Sequence, residues 1–130
     1  MFRRAEQRYL RQALLARYGN QCAICGRHLP KNLLIAAHIK LRSESSEADR
    51  LNFDAAAMLA CSLGCDALFE RGYLTVDDGG LVRTTPTDDP ELLHVLDQLR
   101  GSRCLAFSEA TQENFEFHRQ SHNNDTISGR

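Results

Sequence analysis

Apolar residues near the start of the chain recur every three or four positions, which is the spacing of one helix face. The repeat predicts a helix over residues 2–18, and Gly19-Asn20 follows it as a stop signal. The arginines of this segment lie mostly off the apolar stripe, so we expect the side chains of Arg3, Arg4, Arg8 and Arg11 to be exposed. The stripe itself consists of Phe2, Ala5, Tyr9, Leu10, Ala13, Leu14 and Tyr18.

A compact apolar run at residues 33–39 has the length of a strand and contains His38. The polar residues 40–54 that follow predict a long loop, and loops of about 15 residues inside a domain usually carry function. Residues 55–60 are ambiguous. Their composition favours a helix, but a short apolar run just before a cysteine also suits a strand that returns beside the first.

The second half of the chain alternates short elements with strong turn signals. Residues 66–71 suit a short helix that Gly72 ends, and the segments 73–76 and 81–83 flank Asp77-Asp78-Gly79-Gly80 as a β-hairpin would. Two further helices are predicted. One has Asp89 as N-cap and Pro90 as its first residue and runs to Arg100, where Gly101 stops it, and the other covers about residues 109–120 before a frayed tail from residue 123.

These elements predict a single α+β domain of 130 residues, with 42% hydrophobic and 25% charged residues as in ordinary globular proteins. No apolar run approaches the length of a membrane span and the N-terminus does not read as a signal peptide, so we expect a cytoplasmic protein that does not contact membranes. Residues 1–50 carry a net charge of +6 and residues 51–130 a net charge of −7. This asymmetry permits a phosphate-binding face, although separate solvated faces explain it equally well.

Four of the five cysteines form two close pairs, Cys22-x2-Cys25 and Cys61-x3-Cys65. Such pairs in a reducing compartment predict a tetrahedral zinc site that is structural, because four protein ligands leave no position for a reacting water. The alternative is that some of these cysteines are buried small hydrophobic residues. Cys104 is expected to be a free, half-buried thiol, and His28 a solvated turn residue rather than a zinc ligand.

Three motifs in this order resemble the HNH endonucleases: Cys-Ala-Ile-Cys-Gly, then Leu-Ile-Ala-Ala-His-Ile-Lys, then Cys-x3-Cys-Asp-Ala-Leu-Phe-Glu-Arg-Gly-Tyr-Leu. The likeness is to the zinc-clamped branch of the family and covers about residues 20–85. It implies a ββα-metal core with a structural zinc, to which the chain adds the N-terminal helix 2–18, an extra hairpin and a C-terminal helical extension over residues 88–122. The implied activity is hydrolysis of DNA phosphodiester bonds, as an endonuclease or a nickase.

The resemblance also implies roles for individual residues. His38 would be the general base that activates water, and Asp66 would bind a catalytic Mg²⁺ or similar ion, with Glu70 on the same helix face as a further candidate ligand. The non-catalytic alternatives are that His38 is a core residue, that Asp66 stabilises the start of a helix, and that Glu70 and Arg71 form an exposed charge pair. Three cations that flank the site are candidates for contacts to DNA phosphates: Lys40, Arg42 and Arg50.

The chain departs from the family pattern at three positions. The first is Asp66, which stands where the family usually has a histidine or asparagine as the catalytic metal ligand. The family asparagine that positions the catalytic loop is Ala56 here, and the acidic metal ligand that often precedes the catalytic histidine is Ala37. Asn52 or Asp54 could replace the missing amide. The rival interpretation is therefore a catalytically degraded zinc module that binds DNA or a protein, and a weaker one is a partner protein with an acidic C-terminal interface. His118 and His122 are expected to be ordinary exposed histidines.

Overall fold

The computed structural model describes residues 4–40 and 56–127, with side chains described for residues 7–40 and 56–122. Helix α1 (Arg4–Tyr18) confirms the predicted N-terminal helix over this range. Leu10 and Leu14 are buried, but Tyr9 and Tyr18 are 61% and 41% exposed, so the predicted stripe is wrong at both tyrosines.

The geometry of α1 explains these differences. At 100° per residue, Gln7, Leu10, Arg11 and Leu14 span about 100° of the helix circumference, and Tyr9 lies on the opposite side. The helix packs against the first two strands. Arg11 lies within the docking sector, which is why it is half-buried and its Nε atom enclosed, contrary to the expectation that it is exposed.

Strands β1 (Leu34–His38) and β2 (Ala57–Cys61) form a two-stranded antiparallel ribbon. Leu34 pairs with Cys61 at one end of the ribbon, and His38 pairs with Ala57 at the other. Residues 57–60 of the ambiguous run thus belong to a strand. The alternative helix is disfavoured by the environment, because all five residues of β2 are buried between neighbours on both of its edges.

The outer edge of β2 is covered by the segment of Ala23, and the segment of Leu105 pairs with Ala23 in turn. The backbone N–H of Ala23 donates to the carbonyl of Leu59 at 2.8 Å, and the N–H of Leu105 donates to the carbonyl of Ala23 at 2.8 Å. The ribbon is therefore extended on this side by the segment of the first cysteine pair, which fixes that segment relative to β2.

Helix α2 (Cys65–Glu70) follows β2 after a three-residue turn and packs on both strands of the ribbon. It ends before Gly72, which has φ +83° as its role as a stop signal requires. Strands β3 (Leu74–Val76) and β4 (Val82–Thr84) then form the predicted hairpin. Asp77 organises the hairpin turn by accepting hydrogen bonds from the backbone N–H groups of Gly79 and Leu81, both at 2.9 Å.

Helix α3 (Pro90–Leu99) begins at the predicted residue and ends one residue before the predicted Arg100, and the Asp89 side chain caps it by accepting from the N–H of Leu92 at 2.9 Å. Helix α4 (Gln112–Ile127) begins three residues later and ends seven residues later than predicted. The delay arises at Ser108, whose N–H donates to the Thr111 hydroxyl in a turn that precedes the helix.

The core lies against the ribbon, where α1 and α2 pack, and continues through Phe69 of α2 to Phe115 of α4. Phe69 of α2 is 1% exposed and meets Phe115 of α4 edge to face at 6.0 Å between ring centroids. Cys104 is only 2% exposed, so the expectation of a half-buried thiol was wrong, and burial raises the pKa of this thiol to about 11. No helix in residues 4–40 and 56–127 is long and apolar enough to cross a membrane.

Candidate metal centre and active site

The two cysteine pairs converge on one point beside the ribbon. The Sγ atoms of Cys22, Cys25, Cys61 and Cys65 all lie within 4.8 Å of one another. A tetrahedral zinc with Zn–S bonds of about 2.3 Å places its sulfurs about 3.8 Å apart, so this cluster can hold a metal ion such as zinc with little adjustment. His28 is exposed and is not a member of the cluster.

Each cysteine pair is shaped by its local backbone. Gly26 has φ +77° and its N–H donates to the carbonyl of Cys22 at 3.0 Å, which closes the first turn. The N–H groups of Cys25 and Ile24 point at the Cys22 sulfur. Backbone N–H groups aimed at a sulfur stabilise its thiolate form, the form that binds metal.

The thiols of the cluster oppose one another's ionisation. The hydrogen bond shared with Cys61 raises the pKa of Cys22 to about 11, and hydrogen bonds to Cys22 and Cys61 raise the pKa of Cys65. Hydrogen bonds from the Cys22 and Cys65 thiols lower the pKa of Cys61. A bound dication would offset this mutual opposition by stabilising negative charge on all four sulfurs.

His38 is the last residue of β1, at the end of the ribbon opposite Cys61. Four residues of strand, about 13 Å, separate it from the end that carries the cysteine cluster. The side chain is half-buried and its Nε2 atom is enclosed by the protein. The cysteine cluster therefore anchors one end of β1, and the candidate base lies at the other end.

Asp66 lies in the first turn of α2 and is half-buried. Gly64 occupies the N-cap position, and Asp66 lies in the first turn, where the helix dipole favours an acidic side chain with or without a bound cation. Burial raises the pKa of the Asp66 carboxyl, and the negative charges of Glu70 and Cys61 raise it further. Two carboxylates four residues apart on one helix, one of them partly desolvated, are a combination that a cation would stabilise.

Helix α4 contacts both the residues that follow β1 and the end of α2. The ammonium group of Lys40 lies 4.9 Å from the centroid of the Phe117 ring, a cation–π contact. The adjacent residue, His118, stacks on Phe69 at 3.7 Å between ring centroids. Two consecutive residues of α4 thus contact two other elements. Phe117 contacts Lys40, which lies two residues after β1, and His118 contacts Phe69 near the end of α2.

His118 is 8% exposed, so the expectation of a surface histidine was wrong, and His122 is half-buried. The Nε2 atom of His118 lies 2.8 Å from the carbonyl oxygen of Phe69 and donates to it. The His122 ring meets the His118 ring edge to face at 4.6 Å and lies close to Gly72. The spacing of Phe115, His118 and His122 along one helix face is the sequence signal that could have indicated this packing.

Acid should destabilise the fold through His118. Burial, together with the smaller effects of the nearby His122 and Arg119, lowers the pKa of His118 from 6.5 to about 4, and the hydrogen bond to Phe69 opposes this shift. The unfolded chain therefore binds a proton that the folded chain rejects, and stability falls as the pH drops from about 6.5 to 4, by on the order of 3 kcal/mol.

The measurement is urea denaturation of the wild type and of His118→Gln between pH 7.5 and 4. Glutamine can still donate to the Phe69 carbonyl but does not titrate, so the wild type should lose more stability than the variant across this window. His94→Gln, at an exposed position on α3, is the matched control and should behave as the wild type. Parallel pH profiles for the wild type and His118→Gln would contradict the assignment.

The remaining predicted site residues have different outcomes. Lys40 lies near the His38 end of β1, whereas Arg42, Arg50, Asn52 and Asp54 lie outside the described residues, as do residues 41–54 of the loop predicted over residues 40–54. Ala56 immediately precedes β2, and its carbonyl accepts from the N–H of Ile39 at 2.9 Å. Its methyl group cannot supply the hydrogen bonds of an asparagine amide.

Among known protein families and curated proteins, none matches this chain.

Proposed function

We propose that this protein is a metal-dependent DNA endonuclease or nickase of the HNH type, with a structural zinc held by the four cysteines. The observation that carries the proposal is the order and packing of β1, β2 and α2. An antiparallel ribbon is followed by a helix that packs on it, with His38 at the end of the first strand and Asp66 in the first turn of the helix. This arrangement fits the ββα-metal core that the sequence motifs resemble.

The proposed chemistry is hydrolysis of a phosphodiester. A neutral His38 accepts a proton from water as the water oxygen bonds to phosphorus, the P–O bond to the leaving sugar oxygen breaks, and that oxygen takes up a proton from solvent. A Mg²⁺ or similar ion at Asp66, with Glu70 as a candidate second carboxylate, would stabilise the charge that develops on the phosphate and the leaving oxygen. His38 and Asp66 thus have separate roles on separate elements.

The zinc would act as a scaffold in this proposal. It would join the segment of Cys22 and Cys25 to the end of β2 and the start of α2. This link would fix the position of the helix relative to the ribbon. Because all four positions around the ion would be occupied by sulfur, zinc would not activate water itself.

The charge of the N-terminal segment supports a nucleic acid as substrate. Residues 7–40 contain six lysines or arginines and no carboxylate, and Arg8, Arg17, Arg27 and Lys31 are exposed. Lys40 follows the candidate base by two residues. Such a segment favours phosphate contacts that weaken as salt concentration rises.

The role of Asp66 is tested by its substitution with asparagine, which keeps the shape of the side chain and removes its charge. We expect plasmid cleavage by Asp66→Asn to fall by about 100-fold or more at low Mg²⁺ and to recover in part at high Mg²⁺, because an ion-binding carboxylate is lost. The measurement is the cleavage rate against Mg²⁺ concentration. Asp88→Asn, at an exposed position, is the control, and a metal dependence unchanged in Asp66→Asn would exclude Asp66 as a ligand.

A second candidate function is a non-catalytic DNA-binding zinc module. Two observations favour it: Ala56 lacks the amide of the family asparagine, and the Nε2 atom of His38 is enclosed, so its use as a proton acceptor requires local opening. This alternative predicts salt-sensitive DNA binding without cleavage under any metal, and binding that His38→Ala does not alter.

A further inference from the structure

Successive residues of β1 turn their backbone hydrogen-bonding groups to opposite edges of the strand. Ile39, one residue after β1, donates its N–H to Ala56 across the ribbon, so odd-numbered residues face β2. Ala36 and His38 consequently direct their N–H and C=O groups to the outer edge, away from β2. An outer edge of this kind leaves backbone groups that need another partner.

The side chain of Gln7 supplies that partner at Ala36. Its Oε1 atom accepts from the Ala36 N–H at 2.9 Å, and its Nε2 atom donates to the Ala36 carbonyl at 3.3 Å. The amide thus pairs with Ala36 as a residue of a third strand would. Gln7 is held in place because Leu10 and Leu14, on the same side of α1, are buried in the core.

We propose that Gln7 is a positioning residue for His38, an inference that rests on the proposed function. The pairing is two residues, about 6.6 Å of strand, from His38 on the same edge of β1. The pairing attaches one edge of this part of β1 to α1, while the hydrogen bonds with β2 hold its other edge. A displacement of about 1 Å in a reacting group can lower a rate by roughly 100-fold, so a strand end held on both edges matters for a base located there.

The competing role for Gln7 is purely structural. A polar side chain on an edge strand also prevents pairing with other chains. In that case its loss would lower stability or solubility and leave the ring of His38 in the folded protein unchanged.

The experiment compares Gln7→Met, which keeps the length of the side chain and removes both hydrogen bonds, with Gln7→Glu, which keeps an acceptor for the Ala36 N–H and loses the donor. Gln12→Met is the matched control, because Gln12 is an exposed glutamine on the same helix. The readouts are amide exchange at Ala36, the NMR titration of the His38 ring, and the steady-state rate of DNA cleavage against DNA concentration, which separates kcat from KM.

For Gln7→Met we expect Ala36 exchange to be about fivefold faster or more, which corresponds to one lost hydrogen bond. We also expect a displaced titration curve for His38 and a kcat lowered by roughly 10- to 100-fold at nearly constant KM. Gln7→Glu should fall between Gln7→Met and the wild type, and Gln12→Met should match the wild type.

An unchanged His38 titration in folded Gln7→Met would overturn the proposal, as would a loss of kcat fully explained by the unfolded fraction. If Gln7→Met does not fold, the same criteria apply to Gln7→Glu. If the wild type cleaves no DNA, the proposed function fails, whereas the exchange at Ala36 and the titration of His38 still decide whether Gln7 positions the histidine.

Discussion

Replacing Cys65 with serine is expected to release the metal and to unfold most of the protein. Cys65 begins α2 and its sulfur lies among those of Cys22, Cys25 and Cys61, so its loss would leave three ligands and disconnect the helix from the first cysteine pair. Structural zinc contributes an apparent binding free energy of about 10–16 kcal/mol in zinc-finger peptides, comparable with the whole stability of a typical domain. A loss of even about 4 kcal/mol would lower the melting temperature by about 15 °C.

Elemental analysis and thermal melting measured by circular dichroism test this expectation together. The wild type should contain one zinc per chain, and Cys65→Ser should contain little zinc and show no cooperative transition. Cys104→Ala is the matched control, because Cys104 is a buried cysteine outside the cluster and its truncation should leave the zinc content unchanged. A Cys65→Ser protein that keeps one zinc and melts like the wild type would exclude a four-cysteine site.

Substitution of His38 with alanine should abolish DNA cleavage without unfolding the protein. The ring is half-buried at the end of β1, so its removal disturbs little of the core, whereas loss of a general base lowers a rate by about 100- to 10,000-fold. The measurement is the rate of plasmid cleavage under saturating Mg²⁺, with zinc content and melting temperature recorded on the same samples.

The exposed His94 offers the matched control for this substitution, and His94→Ala should cleave as the wild type does. The general-base role fails if His38→Ala, with intact zinc and an unchanged melting curve, cleaves DNA within about threefold of the wild-type rate. Equal DNA binding by the wild type and His38→Ala, with cleavage by neither, would favour the non-catalytic module.

Elements with local chemical signals could be predicted from the sequence. Asp89 and Pro90 define the start of α3 because the cap and the fixed proline φ act within one turn, and Asp77 with the following glycines defines the β3–β4 turn for the same reason. The cysteine cluster could also be predicted from the sequence, since two closely spaced cysteine pairs indicate a shared metal site without reference to the rest of the fold.

Elements that depend on tertiary contacts could not be predicted in the same way. The alanine-rich β2 has helix-favouring composition, but pairing with Ile35 on one edge and Ala23 on the other makes it a strand. Nothing in the sequence pointed to Gln7, because its partner Ala36 is 29 positions away and the pairing depends on how α1 docks. The burial of His118 likewise follows from the docking of α4 on Phe69.

The candidate active site was predicted from motif order rather than from geometry. The resemblance assigned His38 and Asp66 to a strand and the following helix, and these residues do lie on β1 and α2, which pack together. Their catalytic roles stay predictions, since packing relates the two elements without defining where a divalent ion and a phosphate would bind.

The most direct test of the account is cleavage of supercoiled plasmid by the purified, zinc-loaded wild-type protein in the presence of Mg²⁺, Mn²⁺ or Ni²⁺. The account predicts nicked or linear product with at least one of these ions and none when the added ion is omitted. Intact plasmid with all three ions, from protein shown to contain one zinc per chain, would contradict it.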